Sequence, residues 1–380
     1  MSEITTNLHL DKGVVSLITL GLLTLHEHQE SAYFTEIARR AEKFQIEVFR
    51  FTPTSIDPKT ELIRGERFDT SNNCWKKAIF QIPTYLYDRC FYSLDELSKK
   101  SQPIMSWLKN RPGTLFIGYG LPNKWMLYTL LKQDATLSYY VPKTEKIHSA
   151  TQVLQNLVTN ERLLVKPETG AQGKGIFGMM MRKNQIELIS HRQQQRISKT
   201  FTSKASFITW FKKLLAIQPY LCQPLLQLQD KNHRPFDIRI LLQKNKHGRW
   251  QEQGRGVRKG KAGHLISNLS GGGEIIQYET WLHELPHRQQ VVIQDEINTI
   301  INRVPILLEK YCPPLFELGI DIGVAADGSV WLLDTNSKPG RKVIIETSPS
   351  KEDDLYSAPL DYCNFLDQKS SVYSTSKSGE

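Results

Sequence analysis

The apolar positions of this chain follow two periods. Residues 14–20 are a continuous apolar run, which suits a strand buried on both faces. Residues 31–44 have helical spacing with Ser31 placed as N-cap, and residues 46–51 return to strand character. Strand, helix and strand predict a βαβ unit, so residues 1–120 read as a small α/β domain whose last strand is 114–118. From residue 121 the pattern changes. Helices are predicted at 124–132, 148–157 and 203–215, and strands at 162–166, 220–228, 236–243 and 249–254. Residues 175–181 and 185–190 form a hairpin turning at Lys183 and Asn184. Residues 281–311 read as helix broken at Pro286 and Pro305. This mixture is α+β, and we divide it at 121–219 and 220–346. Beyond 347 the chain is polar and rich in serine, which predicts a frayed tail over 347–380.

The alternation is sharpest at Leu315-Phe-Glu-Leu-Gly-Ile-Asp-Ile-Gly-Val324. Phe316, Leu318, Ile320, Ile322 and Val324 share one face; Glu317, Gly319, Asp321 and Gly323 share the other. Asp327-Gly328 predicts a two-residue hairpin turn, which sets Asp321 opposite Asp334. Opposed side chains lie about 5 Å apart at Cβ, so two carboxylates there repel unless a cation intervenes. Asn336 adds a third oxygen on that face. This donor set suits Mg²⁺; an exposed acidic hairpin is the plain alternative.

Other segments carry weaker signals. After the strand ending at Lys166 come Gly170, Gly173 and Gly175. Gly173 to Gly178 fits GxGxxG, but a hairpin follows where a dinucleotide site needs a helix. What remains is a loop whose backbone N–H groups can approach phosphate, or an ordinary hairpin loop. Lys166 is either a phosphate contact or a solvated lysine. Asp237 and Arg239 share one face of the strand 236–243, as a structural pair or with Arg239 free for phosphate or carboxylate. Arg255, Arg258 and Lys261 precede the glycine-rich stretch Ser267 to Glu274, a basic loop that is either solvated or clamps an anion. His26 and His28 read as surface residues.

Composition narrows the class. With 39% apolar and 23% charged residues the chain reads as soluble and globular, and no apolar run reaches membrane-helix length. The start lacks a basic leader, so no signal peptide is expected. Five scattered cysteines form no CxxC pair, which argues for a reducing cytoplasm and against a zinc site. The net charge of +10 favours anionic ligands, but no nucleic-acid-binding motif accompanies it.

In order, Lys124, Lys166-Pro with its glycines, Asp237-Ile-Arg239, Asn268-Leu-Ser-Gly-Gly272, Asp321, Asp334, Asn336 and Lys338-Pro-Gly340 resemble an ATP-grasp domain over about residues 120–345. They are most similar to the endospore-coat-associated ATP-grasp proteins of spore-forming bacilli. Glutathione-synthetase-like and ribosomal-protein glutamate-ligase-like enzymes are more distant. The resemblance implies two α+β subdomains clasping ATP, preceded by a small Rossmann-like domain. It implies an ATP- and Mg²⁺-dependent ligase joining a carboxylate to an amine or similar nucleophile through an acyl phosphate, with an amino acid or peptide as substrate. Lys124, Lys166, Gly170, Gly173 and Gly175 would bind phosphates. Gln223 to Leu226 would meet adenine, and Asp230 the ribose. Arg239, Arg258 and Arg255 would serve catalysis, and Asp321, Asp334 and Asn336 would hold Mg²⁺. Asp334 stands where the wider superfamily usually has Glu. The implied setting is the cytoplasm or the spore coat, with coat proteins as partners and neither nucleic acid nor a membrane span. A coat protein without turnover and a phosphotransferase are the other functions this resemblance leaves open.

Overall fold

The computed structural model describes residues 17–170, 175–183, 185–192, 195–265, 267 and 273–377. Three sheets follow one another along the chain. The first holds β1 (Ile18–Leu23), β2 (Ile46–Phe51), β3 (Ile63–Asp69), β4 (Cys74–Phe80), β5 (Tyr85–Asp88) and β6 (Leu115–Phe116), in the order β4-β3-β2-β1-β5-β6. Strands β2, β1, β5 and β6 are parallel, and β3 and β4 add an antiparallel edge. Helix α1 (Ser31–Arg40) makes the βαβ crossover; α2 (Glu96–Asn110) follows β5. Ser31 is the first helical residue rather than the cap, which is Glu30 in a left-handed conformation with φ 58°.

The second sheet holds β7 (Glu145–Lys146), β8 (Arg162–Pro167), β9 (Phe177–Arg182), β10 (Gln185–Arg192), β11 (Gln195–Phe201) and β12 (Tyr220–Pro224), ordered β11-β10-β9-β8-β12-β7. Helices α3 (Lys124–Gln133) and α4 (Ala150–Asn160) precede β8, and α5 (Lys204–Leu215) precedes β12. Val153, Leu157, Phe207 and Phe211 pack with Leu163, Val165 and Met179 in its core. The boundary expected at 220 cuts ahead of β12, yet β12 pairs with β8 and β7, so it goes with the second sheet.

The third sheet is antiparallel: β13 (Phe236–Lys244), β14 (Trp250–Lys259), β15 (Glu274–Gln277), β16 (Glu317–Val324) and β17 (Val330–Asn336), ordered β15-β14-β13-β16-β17. Helices α6 (Tyr278–His283) and α7 (His287–Tyr311) cover one face, where Ile238, Ile240, Leu318, Ile320 and Ile322 meet Ile293, Ile297, Ile300, Val304 and Leu308. Pro286 breaks the helix as expected, but Pro305 lies inside α7.

The chain ends differently from the frayed tail expected. Helix α8 (Lys342–Thr347) leads into α9 (Glu352–Lys377), and Tyr356, Leu360, Tyr362 and Cys363 are buried with Leu20, Phe34 and Phe316. Serine content hid these apolar positions. The last segment therefore closes the core of the first sheet.

Candidate active site

The face of the third sheet turned away from α6 and α7 carries the chemistry. Strand alternation sends Ile238 and Ile240 to α7, so Asp237 and Arg239 project to the opposite face. Asp237 faces Arg258 on β14, Arg239 faces Asp321 on β16, and Asp321 faces Asp334 on β17. Helix α8 covers this face further along β14, where Cβ atoms at Gly254 and Gly256 would collide with Ile344 and Val343. The face beyond is left for the charged residues.

Four of those charges interlock. Arg239 grips Asp321 in a fork, Nε to Oδ1 at 2.5 Å and Nη2 to Oδ2 at 3.0 Å. Arg258 grips Asp237 in the same way, at 2.6 and 2.8 Å, and its Nη2 also lies 3.0 Å from Asp321 Oδ2. Ser267 donates its hydroxyl to Asp237. Burial pushes the Asp321 carboxyl up, but Arg239 and Arg258 outweigh burial and hold it below the ordinary range. Burial likewise opposes the Arg258 charge, and Asp237 with Asp321 more than restores it. The basic loop expected around Arg258 is in fact strand β14, so this arginine is fixed rather than mobile.

Asp334 belongs to a cleft between the second and third sheets. It is lined by Lys124, Tyr128, Val141, Thr144, Lys166 and Leu333 among others, and by Gln223 from β12. Lys124, in the first turn of α3, reaches Asp334 Oδ2 with its Nζ at 2.7 Å. Lys166 is half-buried, and withdrawal from water lowers its ammonium pKa to about 8, helped by Lys124 and opposed by Asp334.

The third predicted oxygen has an informative state. Asn336 Oδ1 is buried without a hydrogen-bond partner. A Cβ at Gly319, which faces Asn336, would lie 2.8 Å from Pro339 Cβ and 2.9 Å from Asn336 Nδ2. The glycine thus leaves the amide its space. An orphaned acceptor beside two carboxylates fits a hard cation, which takes oxygen ligands. Among the described residues no three His, Cys, Asp or Glu side chains gather for a metal.

Not every expected residue arrives here. Arg255 sits on the other face of β14, forked onto Glu252 at 2.6 Å for both bonds, 3.3 Å from Asn298 Oδ1, and stacked over Tyr278. Asp230 closes its own turn by accepting from the Asn232 and Arg234 amides, and Leu226 lies past the end of β12; neither lines the cleft. Gly170 and Gly175 take positive φ of 139° and 75°, conformations that favour glycine, on either side of the 171–174 segment. Gly173 and the 268–272 stretch lie outside the described residues. Sequence reading missed Val141, Thr144 and Leu333 as cleft walls, and Ser267 as a partner of Asp237; apolar and hydroxyl residues carry no site signature of their own.

Comparison with known proteins gives the family and the fold. A family profile described as YheC/D like ATP-grasp matches residues 113–366. The chain is 41% identical over 350 residues to the endospore coat-associated protein YheC of Bacillus subtilis (strain 168), covering 92% of this chain and 96% of YheC. It is 24% identical over 372 residues to YheD of the same organism, covering 94% and 79%. Among solved structures, D-alanyl-alanine synthetase A of Vibrio cholerae superposes with a TM-score of 0.53 at 10% identity, over 91% of this chain and 97% of that one. The fold is therefore ATP-grasp.

Proposed function

Because this chain belongs to the YheC/D-like ATP-grasp family, we propose that it is an ATP- and Mg²⁺-dependent ligase joining a carboxylate to an amine through an acyl phosphate. The observation that carries this reading is the convergence of Asp321, Asp334 and the unpartnered Asn336 Oδ1 beside Lys124. The register sets Asp321 opposite Asp334 and Asn336 two residues beyond it, and Asp334 lines the cleft with Lys124 and Lys166. A bound Mg²⁺ would neutralise phosphate charge there.

The chain's own residues do the rest. Lys124 and Lys166 bind phosphate oxygens, and Arg239 offsets charge as the carboxylate attacks the γ-phosphate. Gln223 borders the cleft on the β12 side, and its strand would carry the base. Catalysis is then mostly positioning and charge neutralisation, with an amine displacing phosphate in the second step. The substrates are amino acids or peptides, and the likeness to coat-associated YheC favours material of the spore coat.

A coat protein without turnover is the second reading, favoured by the name of that relative. Screening amino acids and short peptides for stimulated ADP and phosphate release separates the two. An amine that raises both products stoichiometrically with a ligated product supports the ligase. No ADP above background with any candidate, despite Mg²⁺-dependent ATP binding, would leave the non-catalytic reading.

A further inference from the structure

Arg258 is shared unequally between two carboxylates. Its Nε and Nη2 are both committed to Asp237, at 2.6 and 2.8 Å, while only Nη2 reaches Asp321, at 3.0 Å. Asp321 is already filled on both oxygens by Arg239. The four side chains form a balanced set of two acids and two bases with little exposure: 10% for Asp237, 12% for each arginine and 15% for Asp321. Asp237 takes the Ser267 hydroxyl besides, so its carboxylate is the better satisfied of the two.

We propose that Asp237 is a positioning residue for the metal site: by holding the Arg258 fork it keeps a second full guanidinium off Asp321 and leaves that carboxylate able to take a cation. This rests on the reading of Asp321, Asp334 and Asn336 as cation ligands. The effect is electrostatic. A carboxylate forked by one arginine retains lone pairs; one forked by two presents a net positive surface to a divalent ion. Removing Asp237 also adds one unit of positive charge to the cluster. Both effects oppose cation binding. Asp237 lies two residues before Arg239 on β13, the strand that pairs with Asp321's β16, and acts through Arg258.

Mn²⁺ alone, without nucleotide, is the probe, followed by water-proton relaxation on the full chain. Asp237→Asn keeps the side chain's shape and should weaken Mn²⁺ binding at least tenfold. The double variant Asp237→Asn with Arg258→Met removes the freed guanidinium and should recover affinity to within about threefold of the parent. A purely structural role for Asp237 predicts no such rescue, because the second substitution deletes a further buried contact. Unfolding curves confirm that both variants fold; if Asp237→Asn does not, Asp237→Glu, which keeps the charge and moves it, should bind Mn²⁺ more weakly than the parent and serves instead. Unchanged affinity in the single variant, or a double variant as weak as the single one, overturns the inference. Absence of saturable Mn²⁺ binding by the parent chain overturns the metal reading itself, and this inference with it.

Discussion

Lys124 Nζ lies 2.7 Å from Asp334 Oδ2 across the cleft, joining the first turn of α3 to the last strand of the third sheet. Arg239 stands in the same relation to Asp321. Each carboxylate proposed to hold metal is thus paired with a cation proposed to hold phosphate. ATP alone would draw the cations away and strand two acids. Mg²⁺ alone would bind these acids in competition with Lys124 and Arg239, measurably but more weakly than with ATP. Arriving together, they exchange partners without leaving a bare charge.

Nucleotide and metal should therefore bind with strong positive coupling. Calorimetric titration of ATP with and without Mg²⁺ should show at least a tenfold gain in affinity. Linkage requires the same factor for Mg²⁺ with and without nucleotide. Equal ATP affinity in EDTA would contradict the exchange.

Asp334→Asn should abolish most of that gain while leaving the fold intact. The opposed aspartates do not repel freely, as the sequence led one to expect, because each has its cation. Relief of repulsion in the variant should therefore be small, and Lys124 loses its partner. Asp334 is 36% exposed, so the net change in unfolding free energy should be within about 1 kcal/mol. Chemical denaturation measures it.

Lys166 gives nucleotide binding a pH dependence. Its ammonium titrates near pH 8, because the charge is withdrawn from water and faces Lys124. Below that pH it is charged and ready for phosphate; above it the charge is lost, so ATP affinity should fall as pH rises through 8. Stability of the free protein moves the other way. The folded pKa is below the ordinary 10.5, so the unfolded chain holds more protons between those values and stability from this group rises from pH 8 to 10.5. Lys166→Met should remove both slopes near pH 8, checked by ATP titrations and denaturation at each pH.

The C-terminal helix should be essential to the first sheet's core. Leu360 is fully buried there, in the cluster with Leu20, Phe34 and Phe316. Leu360→Ala should cost about 2–5 kcal/mol, the range for a leucine cavity in a packed core. An effect below 1 kcal/mol, by urea denaturation, would mean that α9 is not docked as described.

Much of the site was legible because strand alternation is a strong signal. Ile238 and Ile240 told where Asp237 and Arg239 had to point, and the structure agrees. The Asp321–Asp334 pairing was reached by a shorter route than the molecule takes. The strands end at Val324 facing Val330, one register off a two-residue turn, and a bulge at Leu333 restores the pair. Val330 and Leu332 are core residues with the same parity as Asp334 and Asn336. Only an extra residue between them can send the first pair inward and the second to the opposite face. That parity conflict was present in the sequence as a clue. The same rule places Arg255: it pairs with Ile240 and stands three residues from Arg258, so it points to the helices, and the irregularity opposite Gly254 changes only the residues before it. Bulges are tertiary choices that composition does not mark. The α9 core contacts were obscured for another reason, since its apolar residues sit among serines and acids that dominate a composition count.

A second pH effect should arise where the two halves of the cleft touch. His191, near the end of β10, stacks on His264, in the segment after β14, with ring centroids 4.3 Å apart. Leu265 packs at Gly178 on β9, where a Cβ would lie 2.6 Å from it, so the contact has two anchors. The charged groups around the pair are Arg196, directly across from His191 on β11, and Lys261 beside His264. All are positive, and His191 Nε2 is buried with no partner. Burial first, then His264 and Arg196, lower the His191 pKa to about 4; burial, Lys261 and Arg196 lower that of His264. The packed form therefore favours neutral rings. Its stability is complete above the ordinary histidine pKa of about 6.5 and is lost as pH falls from there toward 4. For His191 alone, those two values weaken the contact about tenfold between pH 7.5 and 5.5. Amide hydrogen exchange over residues 260–265, corrected for the intrinsic effect of pH, should show protection at pH 7.5 that drops by about that factor at 5.5. His191→Phe keeps an aromatic ring that cannot titrate, so most of the drop should disappear in that variant. Equal loss of protection in the variant and the parent would assign the pH effect to other groups.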